Sequence, residues 1–379
     1  MIERLRRLVP FGILTLALVV FPVVAPTNTV NVGVFALIYG LAAIGLSLLM
    51  GLAGQVSLGH AAFFAVGAYT QAMLVTKTGT PWFAAAGFAV LAAMLVALLV
   101  GLPLLRLRGH FLALATLGLG IILSVILREL EVTGGTSGIF GIPKPELGGR
   151  VYDSPQEFFW FMTPIVVLGL MMAANLVRSR TGRALGAVND SEVAAECLGV
   201  DTFALRLRVF VLAGGYAGLA GACYAHWVSV VSPEVSGFGL SVRMLLIVVL
   251  GGLGSVWGAV TGAVAVEILD EGLRTVIPKL IPGAAGEVQL LGFGVILVLL
   301  VVLLPGGLDQ LWQALTAGIR RVRNQVASAA ALPPVDDQGH DVALATLLGE
   351  AQAPERGSLV LRVRGVAKHY GGVKALADL

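Results

Sequence analysis

The sequence is poor in charged residues and in cysteine. Charged residues make up 12% of its 379 residues, about half of the roughly 25% that soluble domains usually contain. Cys197 and Cys223 are its two cysteines, and they have no paired spacing, so neither a disulfide framework nor a metal site is expected. These deficits argue against an ordinary soluble domain.

The sequence also lacks a stripe of positive charge. Its formal net charge is +3, and the arginines fall at the ends of apolar runs rather than along one face. This distribution argues against a nucleic-acid partner. In a membrane protein, arginines at such places mark the cytoplasmic loops.

Long apolar runs are what the sequence does contain. Hydrophobic residues make up 57% of the chain, and its mean hydropathy is +0.92. Crossing a bilayer as a helix takes about 17–25 residues, and in lipid each backbone group must bond within its own segment. Because the runs show no period-two alternation, they predict helices rather than a barrel. The expected fold is an all-α polytopic membrane protein.

We expect about ten transmembrane helices, with eight as the lower number. Arginines precede the first span and recur at 106–108, within 178–208 and at 320–323. With ten spans and both termini cytoplasmic, every such cluster falls on one side of the membrane. The predicted spans are 9–25, 31–50, 57–76, 82–104, 110–128, 158–177, 209–231, 241–256, 257–272 and 288–304.

Two of these spans, 241–256 and 257–272, are short and lie beside the glycine-rich run GGLGSVWG. They predict either a hairpin of short or tilted helices or a re-entrant element. Eight spans result if the pair is re-entrant. The glycines here, and those in AGGYAGLAGACYA, are expected to be helix-packing surfaces.

One apolar segment, GLAGQVSLGHAAFFAVGAYTQAML, carries Gln55, Ser57 and His60. Polar groups in hydrocarbon are costly unless they face a cavity or a partner. The glycines around them allow close packing or a break in the helix. Such a segment can offer acceptors to an ammonium group, donors to a carboxylate and an apolar slot. The alternative is a packing surface in which His60 is a hydrogen-bonded structural residue.

Three further polar sites permit two readings each. On the outer side, TGGTSGIFGIP offers Thr136 and Ser137, which suit a docking loop or a plain structured loop.

On the inner side, residues 178–208 predict a short amphipathic helix that either docks a soluble partner or is a solvated connector. Thr181 is its expected cap, and Val188 and Leu198 belong to its expected apolar face.

The third site is a group of carboxylates near a span end, which suits a gate or a solvated rim: Glu267, Asp270 and Glu271.

The character of the chain changes after residue 323. Residues 1–323 form the expected transmembrane domain, and residues 324–357 have the small, polar, proline-bearing composition of a linker. Residues 358–379 alternate apolar and charged positions, which predicts a strand, a turn at Gly371-Gly372 and the start of a second strand. We expect a soluble, β-rich domain to begin there.

Several of these stretches resemble one family. The inner segment, with Gly182-Arg183-Ala184, Glu192, Ala194-Ala195 and Leu198-Gly199-Val200, resembles the coupling loop of ABC importer permeases. GLAGQVSLGHAAFFAVGAY, TGGTSGIFGIP and VLGGLGSVWGAVTGA are similar, in the same order, to signatures of the branched-chain amino acid permease family, M component. The resemblance covers residues from about 30 to 305.

The resemblance implies a permease subunit of an ATP-driven importer in the bacterial plasma membrane. It would move branched-chain or related small amino acids by alternating access, together with a second homologous permease, ABC ATPase subunits and an external substrate-binding protein. The expected substrate path includes Gln55, Ser57, His60, Thr136 and Ser137. The resemblance assigns ATPase coupling to Gly182, Arg183, Glu192, Glu196 and Gly199.

The C-terminal stretch LVLRVRGVAKHYGGVKALADL resembles the first strands of an ABC ATPase, in which an aromatic residue at the position of Tyr370 stacks on adenine. No G-x4-G-K-[ST] phosphate loop is present in the sequence, so this chain is not expected to hydrolyse ATP or to hold a cofactor. The resemblance implies a permease fused to the truncated start of an ATPase domain, with ATP bound by the missing or partner ATPase.

Other functions stay open at this point. Relatives in the same family carry urea and short amides. An ion-coupled secondary transporter would work without nucleotide. A membrane enzyme would use His60 or His226 as an acid–base group, but no second catalytic residue is evident in the sequence, and we expect no enzymatic activity.

Overall fold

The computed structural model describes residues 18–107, 109–280, 294–296, 299, 307–308, 368–370 and 373–376. The chain divides into two units, Met1–Ala317 and Gly318–Leu379. The described part of the first unit is mostly helical, in agreement with the predicted fold class. Ten helices of six or more residues have both ends among the described residues: α1 Thr27–Ser47, α2 His60–Thr78, α3 Trp82–Leu104, α4 His110–Glu129, α5 Pro155–Arg178, α6 Arg180–Asp190, α7 Glu192–Cys197, α8 Thr202–Val228, α9 Phe238–Gly251 and α10 Val256–Leu280.

Short elements complete the first unit. A π-helical turn, Leu48–Leu52, continues α1, and 3-10 turns occupy Glu131–Thr133 and Pro233–Ser236. Two small antiparallel sheets lie between helices. In one, β1 (Ile139–Phe140) pairs with β4 (Val230–Val231); in the other, β2 (Glu146–Leu147) pairs with β3 (Arg150–Val151). We call the end of the bundle with these strands the strand end, and the opposite one, with α6 and α7, the α6–α7 end.

Five described helices are long and apolar enough to cross a membrane: α1 with its π-helical turn, α3, α4, α5 and α8. They confirm the predicted spans 31–50, 82–104, 110–128, 158–177 and 209–231. A sixth is possible if α9 and α10, bent by 117° at their junction, form one broken span. Helix α2 occupies the predicted span 57–76 but is less apolar. Spans 9–25 and 288–304 fall mainly outside the described residues, so ten spans remains a prediction.

Local capping explains why some helices start earlier than their apolar runs. Ser154 accepts a hydrogen bond from the backbone N–H of Glu157 at 3.2 Å, and α5 then begins at a proline. Asp201 accepts one from the N–H of Ala204 at 2.9 Å. Helix α8 therefore begins at residue 202, before the predicted residue 209, because the cap and not the first apolar residue sets its start.

The core is centred on α1, whose window is the most buried of the spans. It packs against α8, α10, α5 and α9. Helices α2 and α8 approach until their backbones touch: a Cβ on Gly67 would lie 2.1 Å from the Gly218 carbonyl oxygen, and one on Gly221 would lie 2.0 Å from that of Phe64. The glycines of AGGYAGLAGACYA are therefore a packing surface, as predicted.

In the second unit, β5 (Lys368–Tyr370) pairs antiparallel with β6 (Val373–Leu376). The two strands lie on either side of residues 371–372, where the sequence predicts a turn. A pair of strands of this length does not identify a domain, so the ATPase assignment stays a prediction. The predicted linker, 324–357, lies outside the described residues.

Candidate functional site

A break separates α1 from α2 in the middle of an otherwise apolar segment. The π-helical turn ends at Leu52 and α2 begins at His60, and residues 54–59 are not helical. Gly54 adopts a φ of 62°, in the left-handed region that favours glycine. Irregular backbone at membrane depth is tolerated where it is covered by protein or lines a cavity. We call residues 51–60, from the end of the π-helical turn to the first residue of α2, the first break.

The first break carries the three polar residues singled out in the sequence. Gln55, Ser57 and His60 are 5%, 1% and 0% exposed. Within the described structure, Gln55 Oε1, Ser57 Oγ and both ring nitrogens of His60 make no well-formed hydrogen bond. A buried polar group without a partner costs about 1–3 kcal/mol. His60 nevertheless interacts with the backbone of Ala42 on α1, so a structural role for His60 stays open beside a ligand-binding one.

The backbone of the first break, in contrast, is held by neighbouring helices. The N–H of Leu58 donates to Thr116 Oγ1 on α4 at 3.0 Å, and the N–H of Ala61 donates to Ser241 Oγ on α9 at 3.1 Å. A Cβ on Gly59 would lie 1.8 Å from the Thr116 carbonyl oxygen. These contacts fix the backbone of the first break against α4 and α9.

A second break lies between α9 and α10. Residues 252–255 interrupt the helices, with φ of 112° at Gly252 and 84° at Gly254. The expected bend of the short pair is therefore present, although the interruption begins at residue 252 rather than at the predicted 256–257 boundary. The reason is that two glycines with left-handed φ end α9 there.

The two breaks touch each other. A Cβ on Gly51 would lie 2.1 Å from the Cα of Gly254. Nearby, Ser47 Oγ donates to the carbonyl oxygen of Ser255 at 3.3 Å. Because the contact is backbone against backbone, a movement of one break displaces the other.

The segment after α5 forms two short helices, where the sequence predicted one. Ser179 caps α6 by accepting from the N–H of Gly182 at 3.1 Å, and Ser191 caps α7 by accepting from that of Ala194 at 3.3 Å. The predicted cap Thr181 was wrong, because Ser179 precedes it and occupies the N-cap. The second cap, Ser191, divides the segment into two helices.

The predicted coupling residues take different places in this segment. Gly182 is buried, Arg183 is exposed, and Gly199 follows α7 with a φ of 78°. Glu192 pairs with Arg206 at 2.6 Å, and Glu196 accepts from Thr202 Oγ1 at 2.9 Å. Both glutamates therefore tie α7 to the start of α8.

The apolar face of the segment is only partly as predicted. Leu185, Val188 and Ala195 are buried against the bundle. Leu198, predicted on the same face, is 83% exposed, and Val193 is 71% exposed. The prediction for Leu198 was wrong because α7 ends at Cys197, and Leu198 then leaves the helical periodicity.

Asn189 at the end of α6 contacts the first break, a contact that no sequence pattern predicts. Its Nδ2 approaches the Gly51 carbonyl oxygen at 3.5 Å. A Cβ on Gly54 would lie 2.2 Å from the Oδ1 of Asn189. Asn189 is therefore the described side chain through which α6 reaches the first break.

Thr136 and Ser137 lie away from the first break. Both are exposed in the loop between α4 and β1, at the strand end. The loop is ordered by its own contacts: Thr133 Oγ1 donates to the Leu127 carbonyl oxygen at 2.8 Å, and Gly138 adopts a φ of 80° against the backbone of Val231. The structure thus separates the predicted path residues into two groups.

His226, the other histidine considered for catalysis, is engaged at the strand end. Its Nδ1 lies 2.6 Å from the Pro143 carbonyl oxygen, and its Nε2 lies 2.7 Å from Gln71 Nε2. Next to it, Lys144 Nζ donates to the Trp227 carbonyl oxygen at 2.6 Å, and burial lowers the pKa of this ammonium group. Among the described residues, no group of histidine, cysteine and carboxylates suits a metal ion.

Comparison with known families gives one match. The family model described as "Branched-chain amino acid transport system / permease component" matches residues 28–304. This range includes both breaks, α6 and α7, and the loop with Thr136 and Ser137.

Comparison with curated proteins gives relatives with related names. The High-affinity branched-chain amino acid transport system permease protein LivM of Escherichia coli (strain K12) is 32% identical over 314 residues, covering 76% of this chain and 72% of the relative. The corresponding LivH protein of Salmonella typhimurium is 24% identical over 256 residues, covering 61% and 80%. The Autoinducer 2 import system permease protein LsrC of Salmonella paratyphi B is 32% identical over 201 residues, covering 49% and 56%. No solved structure matches the chain.

Proposed function

Because the chain belongs to the permease component family of branched-chain amino acid transport systems, we propose that its substrate passes through the first break. The chain is a permease subunit for branched-chain amino acids and a transport component rather than an enzyme. The observation that carries the proposal is that buried polar atoms of Gln55, Ser57 and His60 make no well-formed hydrogen bond within the described part of the chain. Discontinuous helices supply substrate sites in other transporters.

The chemistry of these side chains suits a zwitterion. Gln55 Oε1 and Ser57 Oγ can accept hydrogen bonds from an α-ammonium group, and the Ser57 hydroxyl or a protonated ring nitrogen of His60 can donate to a carboxylate. Neutral groups bind by hydrogen bonds without trapping the solute through a full charge. A passing substrate therefore gains partners at the first break and can leave again.

We propose that the α6–α7 end faces the cytoplasm of a bacterium, with the protein in the inner membrane and both termini cytoplasmic. Exposed Val193 on α7 and Leu198 directly after it offer an apolar contact to an ABC ATPase. The contact of Asn189 with Gly51 and Gly54 offers a direct route from that ATPase to the first break. Arg183, Glu192 and Glu196 keep their assignment to the coupling segment under this proposal.

The remaining partners follow the same arrangement. The LivM and LivH relatives indicate two permease subunits per system, so this chain works beside a second homologous permease. The exposed loop with Thr136 and Ser137 at the strand end would receive the substrate-binding protein. The C-terminal strands would begin a fused ATPase domain in which Tyr370 stacks on the adenine of ATP.

Uptake by the reconstituted system tests the proposal. The complex of this chain, its partner permease, the ATPases and the binding protein is placed in proteoliposomes, and leucine uptake is measured with and without ATP. We expect ATP-dependent uptake that falls at least about tenfold in Gln55→Ala and His60→Ala, the size of a lost pair of hydrogen bonds. Uptake without ATP would indicate an ion-coupled transporter. Normal uptake by both variants would exclude the first break as the path.

A further inference from the structure

A second polar site lies on the other side of α9. Arg243 on α9 donates to Glu267 at 2.7 Å and to Asp270 at 3.1 Å, both on α10, and Arg274 pairs with Asp270 at 3.2 Å. Glu271 is the fifth charged residue here, and we call the five the Arg243 cluster. Glu267 is near the middle of α10 and 6% exposed, so it does not belong to a solvated rim, whereas Arg274 at the outer side of the cluster is 58% exposed.

Holding α9 against α10 does not require these charges. A Cβ on Gly251 would lie 1.9 Å from the Gly258 carbonyl oxygen, and one on Gly262 would lie 2.1 Å from that of Ile247. The two helices are thus already in close backbone contact. Buried ion pairs are weak evidence for stability, because apolar residues often replace them without loss. Ionisable residues within a membrane bundle are therefore expected to have a function.

A cavity opens beside the Arg243 cluster. Its volume is about 130 Å³, roughly ten times the 10–15 Å³ that one water molecule needs. The cluster lines one wall, and Val32, Phe35 and Tyr39 of α1 line another. The Tyr39 ring lies 5.2 Å from the guanidinium carbon of Arg243. The cavity thus combines both signs of charge with an apolar wall.

The position of the cavity suits a solute that arrives from the strand end. Helix α1 begins at that end, where Gln156 of α5 donates to Thr27 at 3.0 Å. Asn28, one residue further, donates to Glu271 at 3.1 Å, and Asn31 of the next turn lines the cavity. The cavity therefore extends from the middle of the bundle toward the strand end, while the first break lies closer to the α6–α7 end.

We propose that this cavity is a binding site for a small zwitterionic amino acid before it reaches the first break. Among the residues that the structure describes here, three carboxylates face two guanidinium groups, so one negative charge is left for an α-ammonium group, which Glu267 and Asp270 bind. Arg274, the more exposed guanidinium, binds the α-carboxylate, and an aliphatic side chain packs against Val32 and Phe35. The amino-acid class of the ligand rests on the proposed function; the charge pattern of the site does not.

Direct binding tests this site apart from the first break. The complex with its partner permease and ATPases, without the binding protein, is placed in lipid nanodiscs, and binding of radiolabelled leucine is measured in the background of Gln55→Ala. We expect binding to persist there and to weaken at least about tenfold on adding Glu267→Gln, as for lost charge-assisted bonds. The matched control is Glu131→Gln, an exposed carboxylate at the strand end, which should bind leucine unchanged.

Two further measurements separate a binding role from a structural one. Isoamylamine, which keeps the ammonium group, should compete with leucine, and 4-methylpentanoate, which lacks it, should not. The charge swap Arg243→Glu with Glu267→Arg retains an ion pair between positions 243 and 267 but removes the pair of Arg243 with Asp270. In swap protein whose thermal unfolding shows that it is folded, leucine binding should be lost, because position 267 no longer presents a carboxylate to the ammonium group.

Unchanged leucine binding in Glu267→Gln, or full binding in the swap, would overturn the site. If wild-type uptake of leucine fails, the proposed function fails instead. Normal uptake in Gln55→Ala with lost binding in Glu267→Gln would remove the first break and leave this site standing.

Discussion

The first break and the Arg243 cluster are both polar and both within the bundle, but they differ in how far their polar side chains are paired. The first break contains neutral side chains whose buried atoms lack partners in the described structure. The Arg243 cluster contains full charges joined by ion pairs of 2.7–3.2 Å. The same bundle therefore tolerates unpaired neutral groups and pairs its charges.

The difference follows from the free energy of burial. A neutral hydrogen-bonding group without a partner costs about 1–3 kcal/mol, and a folded bundle can tolerate a few such groups. An isolated charge in a low-dielectric interior costs far more, so it must be paired. It follows that the first break is free to bind a ligand without first breaking an ion pair, whereas a ligand at the Arg243 cluster must fit around existing pairs.

The largest expected effect on stability comes from breaking the cluster on one side. Arg243→Met removes the guanidinium that pairs with the buried Glu267, while Asp270 still pairs with Arg274, and this loss should lower the free energy of unfolding by about 3–5 kcal/mol. Thermal unfolding of the purified protein in detergent measures it. The control is Arg183→Met, an exposed arginine, which should unfold like wild type. Equal stability of both variants would contradict the comparison.

The next largest effect is expected where the two breaks touch. Gly51→Ala places a methyl group 2.1 Å from the Gly254 Cα, so the breaks must separate, at about 1–3 kcal/mol of overpacking strain. Uptake of leucine should fall as well. Gly87→Ala on α3 is the matched control, because its Cβ meets nothing within 4 Å. Thermal stability and leucine uptake are measured on the same preparations. Wild-type values of both in Gly51→Ala would show that the contact between Gly51 and Gly254 does not limit the structure or the transport.

A smaller stability effect is expected at the contact between α6 and the first break. Asn189→Ala removes one long, exposed contact, so stability should fall by less than about 1 kcal/mol. If that contact conveys motion, leucine taken up per ATP hydrolysed should fall several-fold while hydrolysis continues. Asp190→Ala, the exposed neighbour, serves as control. A proportional fall of uptake and hydrolysis would point to a general defect instead.

The smallest stability effect is expected inside the first break. Ser57→Ala removes a buried hydroxyl that has no partner in the described structure, so the free energy of unfolding should change by less than about 0.5 kcal/mol or rise slightly. Leucine uptake should nevertheless fall. Thr163→Ala gives the contrast, since its hydroxyl donates to the Phe159 carbonyl oxygen at 2.9 Å. A stability loss in Ser57→Ala as large as in Thr163→Ala would indicate a hidden structural partner.

Much of the fold could be predicted from the sequence because local composition decides it. The runs 82–104 and 110–128 became α3 and α4 with bounds that differ by one residue at most, since in lipid an apolar run of that length must be a helix. The glycines at 51, 54 and 59 allowed either close packing or a break in the helix, and the structure contains a break there. The cap at Ser179 was missed because Thr181, two residues later, was also a suitable cap. The exposure of Leu198 was missed because the sequence pattern did not show that α7 ends at Cys197.

The sequence by itself determined the membrane class, the positions of the described spans and the motifs of the permease family, because these depend on the composition and order of neighbouring residues. Only the tertiary structure decided that Gly51 meets Gly254, that Asn189 reaches the first break and that Arg243 pairs with Glu267. Each of these contacts joins residues from different helices. Which helices become neighbours depends on how the whole bundle packs, and no local pattern contains that information.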